Sequence, residues 1–216
     1  MTRALAAEAL GTLLLVAAVI GSAIMAKALT PDTGVLLLAN AVATGCALLA
    51  LITIFAPLSG AHFNPAVTLV MALRREITTP TAAAYVIAQC VGGVAGTVLT
   101  HAMFDQPLIQ TATHIRAGGA QFLAEVVATF GLILIILGGR RAPNLPTLIA
   151  AYITAAYWFT ASTSFANPVM DLARALTDTP AGIRPLDAPA FLVAQIVGAL
   201  LASGVGSWLF AERPAA

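Results

Sequence analysis

The chain alternates long apolar runs with short polar breaks. No charged residue lies between Asp32 and Arg74, between Arg141 and Asp171, or from Ala188 to Ala211. Each gap exceeds the roughly 20 residues a helix needs to cross a bilayer. Runs bounded by charges and turn residues predict spans near 5–26, 34–56, 82–103, 119–138, 145–163 and 188–210, six in all. Two further apolar stretches, 64–74 and 167–176, are too short to cross. At ~1.5 Å rise per residue each reaches roughly 16 Å, half the hydrocarbon thickness, so they are predicted half-helices. The run from Ala9 to Ala26 reads as the first span. It is too long for a removable signal, and no charged mature domain follows it.

Three segments recur in the same order. Ala7-Glu8-Ala-Leu-Gly-Thr12 returns as Ala124-Glu125-Val-Val-Ala-Thr129, and the segment from Asn64-Pro65 to Leu73 returns from Asn167-Pro168 to Leu176. Ala88-Gln89-Cys-Val91-Gly92 returns as Ala194-Gln195-Ile-Val197-Gly198. Each half, about 1–108 and 118–213, then holds three spans and one half-helix. An odd number of spans turns the second half upside down. The predicted fold is an all-α membrane protein, a single membrane domain over 1–216, with six transmembrane helices and two re-entrant half-helices in an inverted repeat. Such repeats place their functional site near the midplane, where interrupted helices meet.

Composition narrows the function. The hydrophobic set makes up 60% of the chain and charged residues 9%, against roughly 25% in soluble domains, which excludes a soluble enzyme. A net charge of +1 with no basic tract leaves nucleic acid no electrostatic footprint, so the expected partners are membrane lipid and small neutral solutes. Cys46 and Cys90 fall inside apolar runs, where packing is the expected role. They form no disulfide framework or metal-ligand spacing, and no metal or cofactor is expected. With both termini on one side, loops there carry Arg3, Arg74, Arg75, Arg140, Arg141 and Arg213, against Lys27, Arg116, Arg174 and Arg184 opposite. The positive-inside rule then places both termini in the cytoplasm.

The two Asn-Pro pairs carry the chemistry. Asn caps free amides of a first helical turn, and Pro suits the first helical position, so Asn64-Pro65-Ala66 and Asn167-Pro168-Val169 each start a half-helix. Each start carries about half a positive charge. Two starts aimed at one central point repel cations while their amide nitrogens donate to a neutral, oxygen-bearing molecule. That is the physics of a neutral-solute pore. Loops leading into the half-helices are non-helical backbone at membrane depth, which protein groups or water must satisfy. Glu8 and Glu125 are the expected acceptors, ahead of a role as proton relays.

Ser59-Gly60-Ala61-His62-Phe63-Asn64-Pro65-Ala66-Val67-Thr68-Leu69, with the second Asn-Pro and six spans, resembles the aquaporin and aquaglyceroporin (major intrinsic protein) family over nearly the whole chain. The resemblance implies a pore through each protomer, assembly as a homotetramer, and passive flux of water or small uncharged solutes. The family's second motif is Asn-Pro-Ala-Arg, whereas this chain reads Asn167-Pro168-Val169-Met170, without the selectivity arginine. Transferred by spacing, the remaining selectivity-filter positions are Thr44, Ala155 and Ser164. None of the four is aromatic or histidine, which implies a widened constriction. The segment Ala166–Asp187 is similar to a bacterial branch linked to arsenic-resistance genes. That likeness implies a bacterial inner-membrane channel passing undissociated arsenite or methylated arsenicals.

Arg174, one turn beyond Met170, either keeps a positive charge at the outer pore or pairs with Asp171. His62 either lines the pore approach or packs in its loop. His101 and His114 are expected exposed in the loop joining the halves. Cys46 is two residues from Thr44 and points away from it. Gly92, Gly93, Gly96, Gly198, Gly204 and Gly206 suit close helix contacts. Two rivals use the same residues: a proton-coupled transporter working through Glu8 or Glu125, and a serine hydrolase recruiting Ser59 or Ser203 with His62. The first is opposed by scarce intramembrane charge, the second by the channel motif that already explains Ser59 and His62.

Overall fold

The computed structural model describes residues 1–211. Arg213 and the end of the second repeat lie outside the described residues. Within them the chain is all-helical: α1 (Thr2–Leu29), α2 (Thr33–Ser59), α3 (Pro65–Leu73), α4 (Thr79–Met103), α5 (Gly119–Gly139), α6 (Leu145–Phe159), α7 (Pro168–Ala175) and α8 (Ala188–Leu209). Local chemistry sets the boundaries. Asp32 caps α2 by accepting from the Gly34 and Val35 amides at 2.7 and 2.9 Å. Thr78 caps α4, and Pro occupies the first turn of α3, α4, α6, α7 and α8. Gly60 ends α2 in the left-handed region, at φ 87°.

The fifth span is shorter than its apolar run. Hydropathy extends it to residue 163, but the helix stops at Phe159, and 160–166 return towards the membrane centre without helical structure. A hydropathy window cannot separate those two conformations, because a loop buried in protein is as free of charge as a span. The other five long helices follow their predicted ranges within a few residues, as do both half-helices.

The repeat governs the packing. Helix α1 lies against α2 and α4, and α5 lies in the same way against α6 and α8. Helices α2 and α6 join the halves, while α3 and α7 insert between α4 and α8 from opposite directions. Outward faces are apolar, with Leu10, Leu14, Ile87, Val91, Leu123 and Leu201 exposed where lipid lies. Lipid tails are as apolar as these side chains, so contact between helices depends on close packing rather than on the hydrophobic effect. Small residues provide it. A Cβ on Gly92 would press into the Ala9 carbonyl of α1, and one on Gly198 into the Val126 carbonyl of α5. Gly204 is the exception, with open space around it.

Gly198→Leu is expected to separate α5 from α8. Overpacking costs typically 1–3 kcal/mol, about that or more being expected against rigid backbone. Thermal unfolding in detergent should report a clear drop, whereas Gly204→Leu should stay at the wild-type value.

Candidate functional site

The two loops entering the half-helices are near copies in three dimensions. Gly60, Ala61 and Phe63 have φ of 87°, 49° and 50°, and their counterparts Thr163, Ser164 and Ala166 have 62°, 50° and 47°. Five of these six are non-glycine residues in a sparsely populated region, which costs of order 1–3 kcal/mol each. A buried carboxylate holds each loop in place. Glu8 accepts from the Ser59 hydroxyl at 2.6 Å, the His62 and Phe63 amides at 2.9 and 2.8 Å, and Gln89 Nε2 at 2.7 Å. Glu125 accepts from the Ser162 hydroxyl at 2.5 Å, the Phe165 and Ala166 amides at 2.9 and 2.8 Å, and Gln195 Nε2 at 2.7 Å. Both carboxylates are fully buried. Protein donors occupy every carboxylate oxygen, an arrangement suited to supporting a loop and not to passing a proton to solute. Ser59 therefore donates its hydroxyl to Glu8, and His62 Nδ1 lies beside Thr68 rather than Ser59.

The loops bring the asparagines together. Asn64 Oδ1 accepts from the Ala66 amide at 2.8 Å, and Asn167 Oδ1 from the Val169 amide at 3.0 Å, so each caps its own half-helix. Each Nδ2 crosses to the opposite loop: Asn64 donates to the Ala166 carbonyl at 2.7 Å and Asn167 to the Phe63 carbonyl at 2.8 Å. An amide nitrogen has two hydrogens, so one remains on each asparagine. Both residues line a cavity of about 430 Å³ drawn from the two halves. Leu15, Leu48, Val67, Leu132 and Ile149 give it an apolar lining, and the loop residues 61–63 and 164–166 line it as well.

Thr44, Ser164, Met170 and Arg174 also line the cavity. Ala155 does not: it is exposed on the outer side of α6. Tyr157 and Ile153 line the cavity instead, and the Tyr157 hydroxyl lies 3.1 Å from Thr44 Oγ1. Two residues along a helix turn the side chain roughly 200°, so a Tyr157 that faces inward puts Ala155 outward. Counting back from Asn167 crossed residues 160–166, whose path is not helical, and the register was lost there. Ala155 therefore does not join Thr44, Ser164 and Met170 at the cavity, and an aromatic residue, Tyr157, stands beside Thr44 there.

Arg174 does not pair with Asp171. Its Nε donates to the Ala181 carbonyl and its guanidinium lies 3.3 Å from the Phe165 ring centroid. Asp171 occupies the place that Thr68 holds in the first half. Its Oδ1 accepts from Gln195 at 3.1 Å, as Thr68 accepts from Gln89 at 3.0 Å, and its Oδ2 has no hydrogen-bond partner. His62 lines the cavity, and its Nδ1 lies 3.1 Å from Thr68 Oγ1 with the ring edge-on to Tyr85.

Sequence reading missed Arg116, which looked like a loop charge. It is buried and donates to the carbonyls of Gly182, Ser162 and Pro180 at 2.9, 3.2 and 3.3 Å, with its guanidinium 5.1 Å from the Phe165 centroid. Its amide donates to Asp187, which also pairs with Arg184 at 2.7 Å. Hydrogen bonds from Arg184, helped by the Arg116 amide, hold the Asp187 carboxyl below the usual carboxylate range despite its burial. Arg116 thus ties the joining loop to the segment after α7 and to the loop before it. No spacing rule marks such a residue, because its partners are backbone carbonyls. His101 is likewise buried, with Nδ1 2.9 Å from the Leu108 carbonyl and Nε2 2.7 Å from Thr177 Oγ1. His114 is exposed as expected, whereas Cys46 lies exposed on the outside of α2 rather than packed inside.

Comparison with known proteins gives this geometry a family. The model of the "Major intrinsic protein" family matches residues 1–177. The chain is 56% identical over 211 residues to "Aquaglyceroporin AqpS" of Rhizobium meliloti (strain 1021), covering 97% of this chain and 91% of that one. It is 28% identical over 233 residues to Aquaporin Z of Photorhabdus laumondii, covering 99% of this chain and 100% of the relative. The structure of the aquaglyceroporin from Plasmodium falciparum superposes with a TM-score of 0.79 at 21% identity, over 97% of both chains, and so shares the fold. Matched loops, paired asparagines and these relatives agree: the chain is a multi-pass membrane protein of the major intrinsic protein family.

Proposed function

We propose that this chain is a passive channel for water and small uncharged solutes of about glycerol's size, undissociated arsenite and methylated arsenicals among them. The observation that carries the reading is the meeting of Asn64 and Asn167 in one cavity lined by apolar side chains and by the two loops. A polyol-like solute presents both hydroxyls and carbon, which such a mixed lining suits. Two half-helix starts and Arg174 raise the potential against cations, while Asp171, if ionised, lowers it. Thr44, Ser164, Met170 and Tyr157 form the constriction in this reading. Met170 in place of arginine leaves a flexible, polarizable side chain that moves aside for a bulky solute. The setting is a bacterial inner membrane, with both termini cytoplasmic and four copies assembled as in the family at large.

Stopped-flow light scattering of reconstituted vesicles with water, glycerol, urea and arsenite tests this. Glycerol and arsenite are expected to enter faster than into protein-free vesicles. Acceleration of water alone would remove the wide-filter part of the proposal.

A further inference from the structure

One charged group at the cavity takes no part in this account. Glu76 follows α3, and both Glu76 and Arg140, at the end of α5, line the cavity at the mouth away from Arg174. Glu76 Oε1 accepts from Arg74 Nε at 3.0 Å, and Oε2 pairs with Arg140 Nη2. Arg74 Nη1 also donates to Ser207 Oγ of α8 at 2.8 Å. One carboxylate therefore clasps the exit of the first half-helix to α5, and through Arg74 to α8, across the halves of the repeat.

We propose that Glu76, held between Arg74 and Arg140, is an ionic latch over the inner mouth, and that flux through the cavity rises when the latch opens. This rests on the channel reading given above. The contrast with Glu8 and Glu125 supports it. Those carboxylates are fully buried and fix loops permanently, whereas the side chains of Arg74, Glu76 and Arg140 are 25%, 29% and 38% exposed. Ion pairs with that exposure are weak and weaken further as salt screens them. The latch is thus strong enough to populate a closed mouth and weak enough to open. Ala56, Leu145 and Pro146 also line the cavity and carry no polar side chain that would replace the clasp.

The test is glycerol flux through full-length protein in vesicles at low and high salt, with osmolality balanced by sucrose. Between about 10 mM and 1 M salt the screening length falls from ~30 to ~3 Å, and flux is expected to rise about twofold or more. Glu76→Gln and, separately, Arg140→Met are expected to reach the high-salt flux already at low salt and to lose the salt response. A third variant, Glu76→Cys with Arg140→Cys in a chain whose Cys46 and Cys90 are alanine, keeps the idea testable if either single variant folds poorly. Joining the two thiols with a cleavable linker should lower flux, and reduction should restore it.

A wild type that conducts glycerol equally at both salts, with variants that match it, overturns the latch and leaves the channel standing. So does a crosslinked pair that conducts as well as the reduced one. A wild type silent towards every solute, whose Glu76→Gln variant is equally silent, ends the channel reading and the latch together.

Discussion

Met170→Arg is expected to cut glycerol flux by about tenfold or more while water flux falls much less, a difference of ~1.4 kcal/mol or more in barrier. Met170 is buried, lines the cavity, and lies one turn before Arg174 on α7. Arg174 already occupies the space beside Phe165 and the Ala181 carbonyl. A second guanidinium at i,i−4 is repelled by the first and has only the lumen to enter. There it narrows the opening opposite Thr44 and Tyr157 and replaces a soft thioether by a charged, planar set of N–H donors. Water is small enough to pass such a donor in single file. A three-carbon polyol needs a wider opening and is slowed more. Paired stopped-flow measurements of the two solutes decide the matter, and equal losses for both would show that Met170 lies outside the narrowest point.

Glu125→Gln has the largest expected effect on folding. Four donors converge on this carboxylate: the Ser162 hydroxyl, the Phe165 and Ala166 amides and the Gln195 amide. A glutamine keeps one oxygen and turns an NH2 group towards two of those donors. Each buried donor left unpaired costs ~1–3 kcal/mol, so the variant loses about 2–6 kcal/mol, a large part of a typical total stability. The loop it no longer holds contains Thr163, Ser164 and Ala166 in left-handed conformation, which adds to the loss. Folded yield from the membrane should drop sharply, and Glu8→Gln should behave alike, since its four donors repeat the pattern. Any channel that does fold should show wild-type pH dependence. Normal yield with an altered pH profile would instead assign these carboxylates to proton transfer.

What could be seen in the sequence follows from what leaves a periodic or repeated trace. Six spans appear because each must be apolar along its whole length, and the half-helices appear because an Asn-Pro start followed by a short apolar run has no other economical conformation in a membrane. Matching Glu8 to Glu125 and Gln89 to Gln195 also followed from the repeat, and those four residues form the two loop-holding clusters. The failures share one cause. The segment 160–166 is uncharged loop, so hydropathy ran α6 on through it, and the register that should have selected Tyr157 selected Ala155. Arg116, His101 and Glu76 are polar residues whose partners are distant in sequence or are backbone carbonyls, and neither periodicity nor spacing records such partners. Arg174 was flagged, but its ring partner Phe165 stands where the first half has His62, a substitution that the repeat alone does not interpret.

The central claim is that the two half-helix tips leave a passive solute path beside them. Glycerol entry into vesicles holding the wild-type protein, driven only by its own gradient and repeated with the proton gradient collapsed, tests it most directly. The account predicts entry well above that of protein-free vesicles and equal under both conditions. Entry no faster than through bare lipid, or entry abolished when the proton gradient is lost, would contradict it.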